Sequence, residues 1–223
     1  MPRRSATPGS GSPSAAKATP YQRARDAGRQ ALAETVLRAA GELLMLDGAG
    51  GLTMRKIADH IGASTTVLYS VFDSKNAIID AMVQAGHDGL RSRLLSLPDS
   101  DPMRRLAAAA HAYRHAALED PGRYGLMFGN SLPSYQPSEA ARRAAAASFD
   151  TLASFVAEAM KAGALTPSAD PAFVAEVLIA SAHGAVSLEL SGHFDDGERA
   201  DERFAVVTAA SITPFLTKRP ERT

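Results

Sequence analysis

The sequence predicts an all-α protein of about nine helices. Apolar residues recur with a period near 3.6 over most of the chain after Tyr21, and no alternation of apolar and polar residues indicates a β-strand. Turn-forming residues divide the chain into helical stretches. These breaks lie at Leu97-Pro98, Asp120-Pro121-Gly122, Pro133 to Pro137, Thr166-Pro167 and Gly192 to Gly197.

The composition is that of a globular protein. Hydrophobic residues make up 45% of the 223 residues, which is enough to fill a core. Cysteine is absent, which excludes disulfides, thiolate metal sites and cysteine nucleophiles. No uninterrupted apolar run approaches the roughly 20 residues of a membrane span, and residues 1–20 lack the apolar middle of a secretory signal. We therefore expect a cytoplasmic protein with no membrane partner.

Positive charge is concentrated at the N-terminal end. Lysine plus arginine and aspartate plus glutamate both number 24, so the formal net charge is zero. Residues 1–29 nevertheless contain Arg3, Arg4, Lys17, Arg23, Arg25 and Arg29 against Asp26 alone. Residues 1–20 are rich in Pro, Ser, Gly, Ala and Thr, a composition that predicts a disordered basic arm. Such an arm either enters a DNA minor groove or serves only solubility, and the sequence favours neither.

Residues 21–76 predict a unit of three helices. The first is amphipathic and ends at Gly48. Thr53 is a suitable N-cap for a second helix over Met54 to Ile61, which Gly62 ends in a left-handed conformation. Ser64 is the N-cap of a third helix over Thr65 to Phe72. Two short helices joined by a glycine-bearing turn form a helix-turn-helix.

The third helix presents polar residues to solvent. Its predicted buried stripe is Val67, Leu68, Val71 and Phe72. The outward residues are Thr65, Thr66, Tyr69 and Ser70, whose hydroxyls can reach phosphates and base edges in a DNA groove. Ser74 caps the following helix and places Lys75 in its first turn, where a cation is unfavourable for the helix dipole and a phosphate partner is favoured. An ordinary helical hairpin with a solvated surface is the alternative.

These spacings resemble the tetracycline-repressor-like (TetR) family of transcriptional regulators. The shared positions are Gly51-Leu52-Thr53, Ile57-Ala58, Gly62-Ala63-Ser64, Leu68-Tyr69, Phe72 and Lys75. The resemblance implies contacts with double-stranded DNA from Thr53, Ser64, Thr65, Thr66, Tyr69, Ser70 and Lys75. It also implies a homodimer that a small-molecule effector releases from its operator. The stretch Ser181 to Gly192 is similar to one C-terminal subtype with a His-Gly motif, although the tryptophan usual before that motif is missing.

Residues 77–218 are predicted to form a helical body for effector binding and dimerisation. We expect the dimer on the last two helices, about Pro171 to Ser191 and Ala200 to Thr217, because both are rich in small and apolar residues. The predicted interface residues are Leu178, Ala182, Gly184, Ala185, Val207, Ser211 and Phe215.

A mainly apolar effector pocket is predicted between about Asp99 and Gly163. The breaks near residues 120 and 135 force the chain to fold back, so a short helix must be enclosed by longer neighbours, and such bundles leave pockets between helices. The candidate lining residues are Tyr113, Tyr124, Met127, Phe128, Phe149 and Phe155, with Arg123, His111 and His115 as candidate polar groups. A filled core is the alternative for each of them.

No pattern in the chain indicates catalysis, a metal or a cofactor. His111 and His115 share one helix face, but no third ligand follows at a recognisable spacing. No nucleophile elbow, phosphate-binding loop or dinucleotide fingerprint is present. We therefore expect a ligand-responsive repressor that binds a palindromic operator as a homodimer. A constitutive DNA-binding protein, and a helical enzyme or carrier with an accidental helix-turn-helix, are the alternatives.

Overall fold

A computed structural model describes residues 19–99, 101–128, 135–194 and 197–217. These residues form nine α-helices: α1 (Pro20–Gly51), α2 (Met54–His60), α3 (Thr65–Tyr69), α4 (Lys75–Leu95), α5 (Pro102–Glu119), α6 (Pro121–Phe128), α7 (Glu139–Lys161), α8 (Pro171–Leu190) and α9 (Ala200–Ile212). Two short 3-10 turns, Gly197–Arg199 and Thr213–Phe215, flank α9. The β interaction among these residues is limited to one isolated antiparallel bridge between Leu165 and Leu216. The predicted all-α class is confirmed.

The first helix begins slightly earlier than predicted. Thr19 and Pro20, assigned to the arm, form its cap and first residue, and the rest of the arm lies outside the described residues. The Thr19 hydroxyl accepts from the Gln22 N–H at 3.2 Å, and the Gln22 side chain accepts from the Thr19 N–H at 2.7 Å. Residues 20–31 are exposed throughout, so this end of α1 projects from the core.

Two glycines with positive φ mark a kink in α1 and the turn after α2. Gly48 interrupts α1 with a φ of 67°, and Gly62 takes a φ of 67° between α2 and α3. The predicted third helix was too long, because α3 ends at Tyr69 with Ser70 as its C-cap. Val67 is 38% exposed rather than part of a buried stripe, since a helix of one and a half turns points few residues at the core.

Two buried clusters organise the molecule. Helices α1 to α3 are called the head below. A head-side cluster joins them to α4 around Val36, Ile57, Leu68 and Ile78, and it includes Leu126 of α6. A body cluster joins α4 to α9 and includes the residues Leu106, Tyr113, Phe155, Val174 and Phe204. Helix α4 belongs to both clusters, because its first half contributes to the head side and Leu90 and Leu94 contribute to the body. A displacement of α4 therefore affects both.

Helix α8 is long and apolar. By length and composition it could cross a membrane, with a mean hydropathy of 1.5 in an 18-residue window of which 22% is buried. Glu176, Ser181 and His183 interrupt its apolar sequence. The core helix of a soluble protein passes the same test, and α8 packs against α7 and α9.

The largely buried Arg114 side chain connects three helices. The Arg114 guanidinium of α5 donates to the Glu189 carboxylate of α8, with an Nη2 to Oε1 distance of 2.7 Å, and to Asp201 of α9. The Arg114 and Glu189 side chains are 12% and 20% exposed, so their pairing is largely shielded from water, whereas the Asp201 side chain is 86% exposed. The end of α8 and the start of α9 are therefore held against α5.

Candidate functional site

The polar residues predicted to contact DNA lie on one end of the molecule. Thr53, Ser64, Thr66, Tyr69 and Ser70 are exposed, and Tyr69 retains 52% of its accessible surface. Thr65 and Lys75 are half-buried. Helix α3 is held by Leu68, which is fully buried in the head-side cluster, so its polar side points to solvent.

Some of these hydroxyls already have local partners. The Thr53 hydroxyl accepts from the Lys56 N–H at 3.2 Å and caps α2. The Ser70 hydroxyl donates to the Val67 carbonyl at 2.6 Å. Ser64 occupies the N-cap position of α3 without a side-chain capping bond, contrary to the predicted cap. Its hydroxyl therefore keeps more capacity for an external partner than that of Ser70.

The helix-turn-helix is fixed against α1 by polar pairs. Lys56 of α2 lies 2.6 Å from the Asp47 carboxylate, and His60 lies 2.7 Å from Glu42. The turn itself is closed by a bond from the Ala63 N–H to the Ala58 carbonyl at 2.9 Å. These contacts fix the direction of α3 relative to the rest of the head.

The body contains a cavity of about 610 Å³ between α4, α5, α7, α8 and α9. Of the predicted lining residues, Tyr113, Phe128 and Phe149 line it. Tyr124 and Met127 line a second cavity of about 120 Å³ instead. Phe155 lines neither: it is 2% exposed, and the Arg105 guanidinium lies 4.0 Å from its ring centroid. Phe155 is therefore core, which corrects its assignment to the pocket.

Two histidines that sequence analysis did not assign to the pocket contribute to the cavity wall. His87 of α4 lies with its Nδ1 atom 3.2 Å from the Ser148 hydroxyl of α7. His183 of α8 lies with its Nδ1 atom 2.7 Å from the Tyr124 hydroxyl, which is 3.0 Å from the Tyr113 hydroxyl. The sequence marked His183 only as part of a subtype motif, and no local pattern distinguished His87.

Burial determines the charge state of this polar group. Desolvation lowers the pKa of His87 despite the neighbouring Asp88 carboxylate, so the ring is neutral at pH 7. Burial also raises the pKa of Tyr113 and of Tyr124, which keeps both phenols protonated. His87 and the two tyrosines therefore contribute no charge to the site.

The polar groups that the sequence proposed for the pocket are placed differently. Arg123 pairs with Asp120 at 3.2 Å and lines the smaller cavity. His111 lines the large cavity at its exposed edge, whereas His115 lies 3.4 Å from Glu119 outside it. The described residues contain no group of three His, Cys, Asp or Glu side chains placed to hold a metal ion.

Helices α8 and α9 together present an exposed apolar face. Phe173 is 53% exposed, Leu188 is 41% exposed and Val206 is 61% exposed. Gly184 lies on the same exposed side of α8, where an added β-carbon would meet no described atom within 4 Å.

The other predicted interface residues have contacts within the chain. Leu178 and Ala182 line the cavity, and Phe215 packs against Phe173 with ring centroids 6.3 Å apart. Ala185, Val207 and Ser211 are half-buried within the chain.

Comparison with known protein families identifies the family of this chain. The model for bacterial regulatory proteins of the tetR family matches residues 36–82, which contain the helix-turn-helix. The model for the tetracyclin repressor-like C-terminal domain matches residues 106–210, which contain most of the body. The chain belongs to the TetR family. It is thus a DNA-binding transcriptional regulator and not an enzyme, as the sequence predicted.

Individual TetR-family proteins resemble different lengths of the chain. Tetracycline repressor protein class A from transposon 1721 of Escherichia coli is 36% identical over 84 residues, which is 38% of this chain and 39% of that repressor. The HTH-type transcriptional regulator Rv1816 of Mycobacterium tuberculosis is 30% identical over 146 residues, 60% of either chain. This chain therefore spans less than two thirds of both relatives.

A solved structure extends the similarity to nearly the whole fold. A protein with unknown function from Rhodococcus sp. RHA1 is 33% identical and superposes with a TM-score of 0.71. The superposition covers 84% of this chain and 96% of that one. The two proteins therefore share one fold over most of this chain.

Proposed function

We propose that the protein is a cytoplasmic repressor that binds a near-palindromic operator as a homodimer and leaves it when a small molecule occupies the 610 Å³ cavity. Residues 21–76 act as the DNA-binding unit, and residues 77–218 bind the effector and dimerise. One observation carries the ligand response: α6 contacts both the cavity and the head. Repressor action is also the activity that the name of the Escherichia coli relative states.

The DNA side of the proposal rests on the exposed end of the head. Helix α3 enters the major groove, with Thr66 and Tyr69 on its accessible side and Ser64 at its start. Lys75 at the start of α4 neutralises a backbone phosphate, which explains a cation at a position unfavourable for the helix dipole. Thr53, Thr65 and Ser70 lie along the same border.

The proposed dimer interface is the exposed apolar face of α8 and α9. Phe173, Gly184, Leu188 and Val206 give a surface that is more apolar than a solvated helix pair requires. A second copy packed on this face buries it as a four-helix bundle with a two-fold axis. Two heads then lie in successive major grooves, about 34 Å apart, and their separation determines operator affinity.

The effector acts through α6 and α4. Phe128 at the end of α6 lines the cavity, while Leu126, two residues earlier, belongs to the head-side cluster. At the start of α6, Gly122 packs on α1, where an added β-carbon would lie 3.1 Å from Leu44. A ligand that binds better when Phe128 is displaced therefore shifts the head, because ligands change a conformational equilibrium by their differential affinity for its states.

The test has two stages. DNA fragments that the purified protein selects from its source genome are sequenced and assayed by fluorescence anisotropy, with a salt series on a shared palindrome. Small molecules are then screened for release of that fragment from the wild type and from Phe128→Ala. Selection of fragments without a two-fold repeat would contradict the dimeric operator complex. Release that is identical in both proteins would contradict the route through α6.

A further inference from the structure

The wall of the large cavity is polar at few points. No Lys, Arg, Asp or Glu is among the described residues that line it. Desolvating a charge against such a wall is unfavourable, because no counter-charge offsets the lost hydration. The cavity therefore selects against anionic and cationic ligands.

Each hydroxyl of the wall already uses its proton. Ser148 donates to the Ala145 carbonyl at 2.9 Å, and Thr208 donates to the Phe204 carbonyl at 2.8 Å. We assign the tyrosine protons from the distances: Tyr124 donates to His183 Nδ1 at 2.7 Å, and the Tyr113 proton goes to Tyr124 at 3.0 Å or to His183 Nδ1 at 3.3 Å. The oxygen atoms that remain available accept hydrogen bonds and do not donate them.

His87 adds an acceptor of the same kind. We assign the Ser148 proton to the Ala145 carbonyl, because that contact of 2.9 Å is shorter than the 3.2 Å between Ser148 Oγ and His87 Nδ1. With this assignment, the bond between Ser148 and His87 requires a proton on Nδ1 of the ring. A neutral ring with its proton on Nδ1 has a lone pair on Nε2. The Nε2 atom makes no hydrogen bond within the part of the chain that the structure describes, and His87 lines the large cavity.

We propose that the cavity binds an uncharged, mainly apolar molecule with a hydroxyl group, and that His87 Nε2 accepts the hydrogen bond from this hydroxyl. Phe128 stands beside His87, with ring centroids 5.5 Å apart, and supplies apolar contact near the same point. The inference rests on the proposed function only in taking the cavity as the effector site. Ser148 is a positioning residue, because it acts by holding the proton on Nδ1.

Matched probes test the inference on the full chain without DNA. 4-Heptylphenol, 4-heptylanisole and 4-heptylbenzoate share one apolar body and differ in the polar end: a hydroxyl donor, a methyl ether without a donor, and an anion. Calorimetry is expected to give the phenol an affinity roughly tenfold higher than that of the anisole, the usual scale of one hydrogen bond, and the benzoate the lowest. Equal affinities of phenol and anisole, tighter binding of benzoate, or no binding of any probe would overturn the inference.

Variants assign the acceptor. His87→Phe is expected to lower phenol affinity about tenfold and to leave anisole affinity unchanged. His115→Phe is the matched control, since its exposed ring lies outside the cavity. A preference for phenol that survives in His87→Phe would remove the role of His87. Nitrogen-15 NMR of the wild type gives a second readout if that variant fails to fold: the His87 Nε2 resonance should move with phenol and not with anisole, and a proton found on Nε2 would overturn the assignment.

Operator release separates this inference from the proposed function. If the phenol binds as expected and leaves the operator complex intact, the ligand class stands and the proposed release is wrong. If phenol and anisole bind equally while another compound releases the operator, the release stands and the ligand class is wrong.

Discussion

Met127 of α6 lies directly over Gly86 of α4. A β-carbon built at residue 86 would approach the Met127 sulfur to 2.4 Å and the Arg123 Cδ atom to 3.2 Å. Helices α4 and α6 therefore approach each other closely because residue 86 has no side chain. Helix α6, which makes this contact, also connects the cavity to the head.

Gly86→Ala is expected to destabilise the protein. Alanine favours a helix by up to about 1 kcal/mol over glycine, but overpacking against Met127 costs roughly 1 to 3 kcal/mol. Urea denaturation gives the free energy of unfolding. Gly89→Ala is the control on the same helix, because its β-carbon meets no described atom within 4 Å, and it should be neutral or stabilising. A higher free energy of unfolding for Gly86→Ala than for the wild type would show that α6 moves away from residue 86 without loss of stability.

Tyr69→Phe and Lys75→Ala are expected to weaken binding to all DNA sequences without unfolding the protein. Loss of the Tyr69 hydroxyl removes a phosphate hydrogen bond of about 1 kcal/mol. Loss of the Lys75 charge lowers the slope of log affinity against log salt by about one per subunit. Anisotropy titrations at several salt concentrations measure both effects. Lys161→Ala, at the end of α7, removes an equal charge as control, and a Lys75→Ala slope equal to that of the control would withdraw the phosphate assignment.

Gly184→Leu is expected to give monomers with little operator affinity. Leucine at this exposed position meets nothing within the chain, so its effect arises from a partner copy packed on α8. Sedimentation velocity measures the oligomeric state. Gly89→Leu places the same side chain on an exposed helix position outside this face and should leave the dimer intact. A stable Gly184→Leu dimer would move the interface elsewhere.

Phe128→Ala and Phe155→Ala should separate cavity from core. Phe155 is buried in the body cluster, so its truncation is expected to lower the free energy of unfolding by roughly 3 to 5 kcal/mol. Phe128 is half-buried at the cavity wall, so its truncation should lower stability less and change operator release by an effector. Thermal melts beside a release assay compare them. A larger loss of stability in Phe128→Ala with normal release would make Phe128 core.

Asp80→Ala is expected to weaken the junction of α4 with α7. Burial alone would raise the pKa of Asp80, but bonds from the Ser138 hydroxyl, the Ser138 N–H at 2.7 Å and the Tyr135 hydroxyl at 2.8 Å outweigh it, and the pKa falls below its usual 3.8. Because the folded state holds the carboxylate more acidic than the unfolded state does, this stabilisation is complete above pH 4 to 5 and is lost as the pH falls through the folded value.

The loss in Asp80→Ala should be about 1 to 3 kcal/mol at pH 7, the scale of hydrogen bonds to a charged group. The difference between wild type and variant should shrink as unfolding is followed from pH 6 down to pH 3. Asp88→Ala, on an exposed part of the same helix, controls for the removal of a carboxylate. A difference that does not change with pH would exclude the ionised form as its source.

The sequence predicted the head well because its signals are local. Thr53, Gly62 and Ser74 act within one helical turn, and the cap bonds and left-handed glycine follow from residue type. The end of α3 was misjudged because Val71 and Phe72 pack beside the head after the helix has stopped, so apolar character alone did not mark its length.

The sequence predicted where the cavity lies, but it did not predict which polar residues line it. Aromatic residues of α5 and α6 suggested a pocket from the chain folding back, and Tyr113 and Phe128 do line it. His87 and His183 come from helices far apart in sequence, and their position at the same cavity depends on how α4 and α8 are rotated. An almost uniformly apolar helix such as α8 has no preferred side that a period could reveal.

On α6, the residue that lines the cavity differs from the residues that contact the head. Ligand recognition and the connection to the head can therefore change independently in evolution. Among the described residues of α6, Phe128 alone lines the large cavity, whereas Gly122 and Leu126 contact the head side. Substitutions at the cavity-lining residues of α5, α7, α8 and α9 therefore reshape what is recognised without changing the contacts of Gly122 and Leu126 with the head side. In the proposed mechanism, a descendant of this protein can acquire a new chemical signal while it continues to control the same promoter.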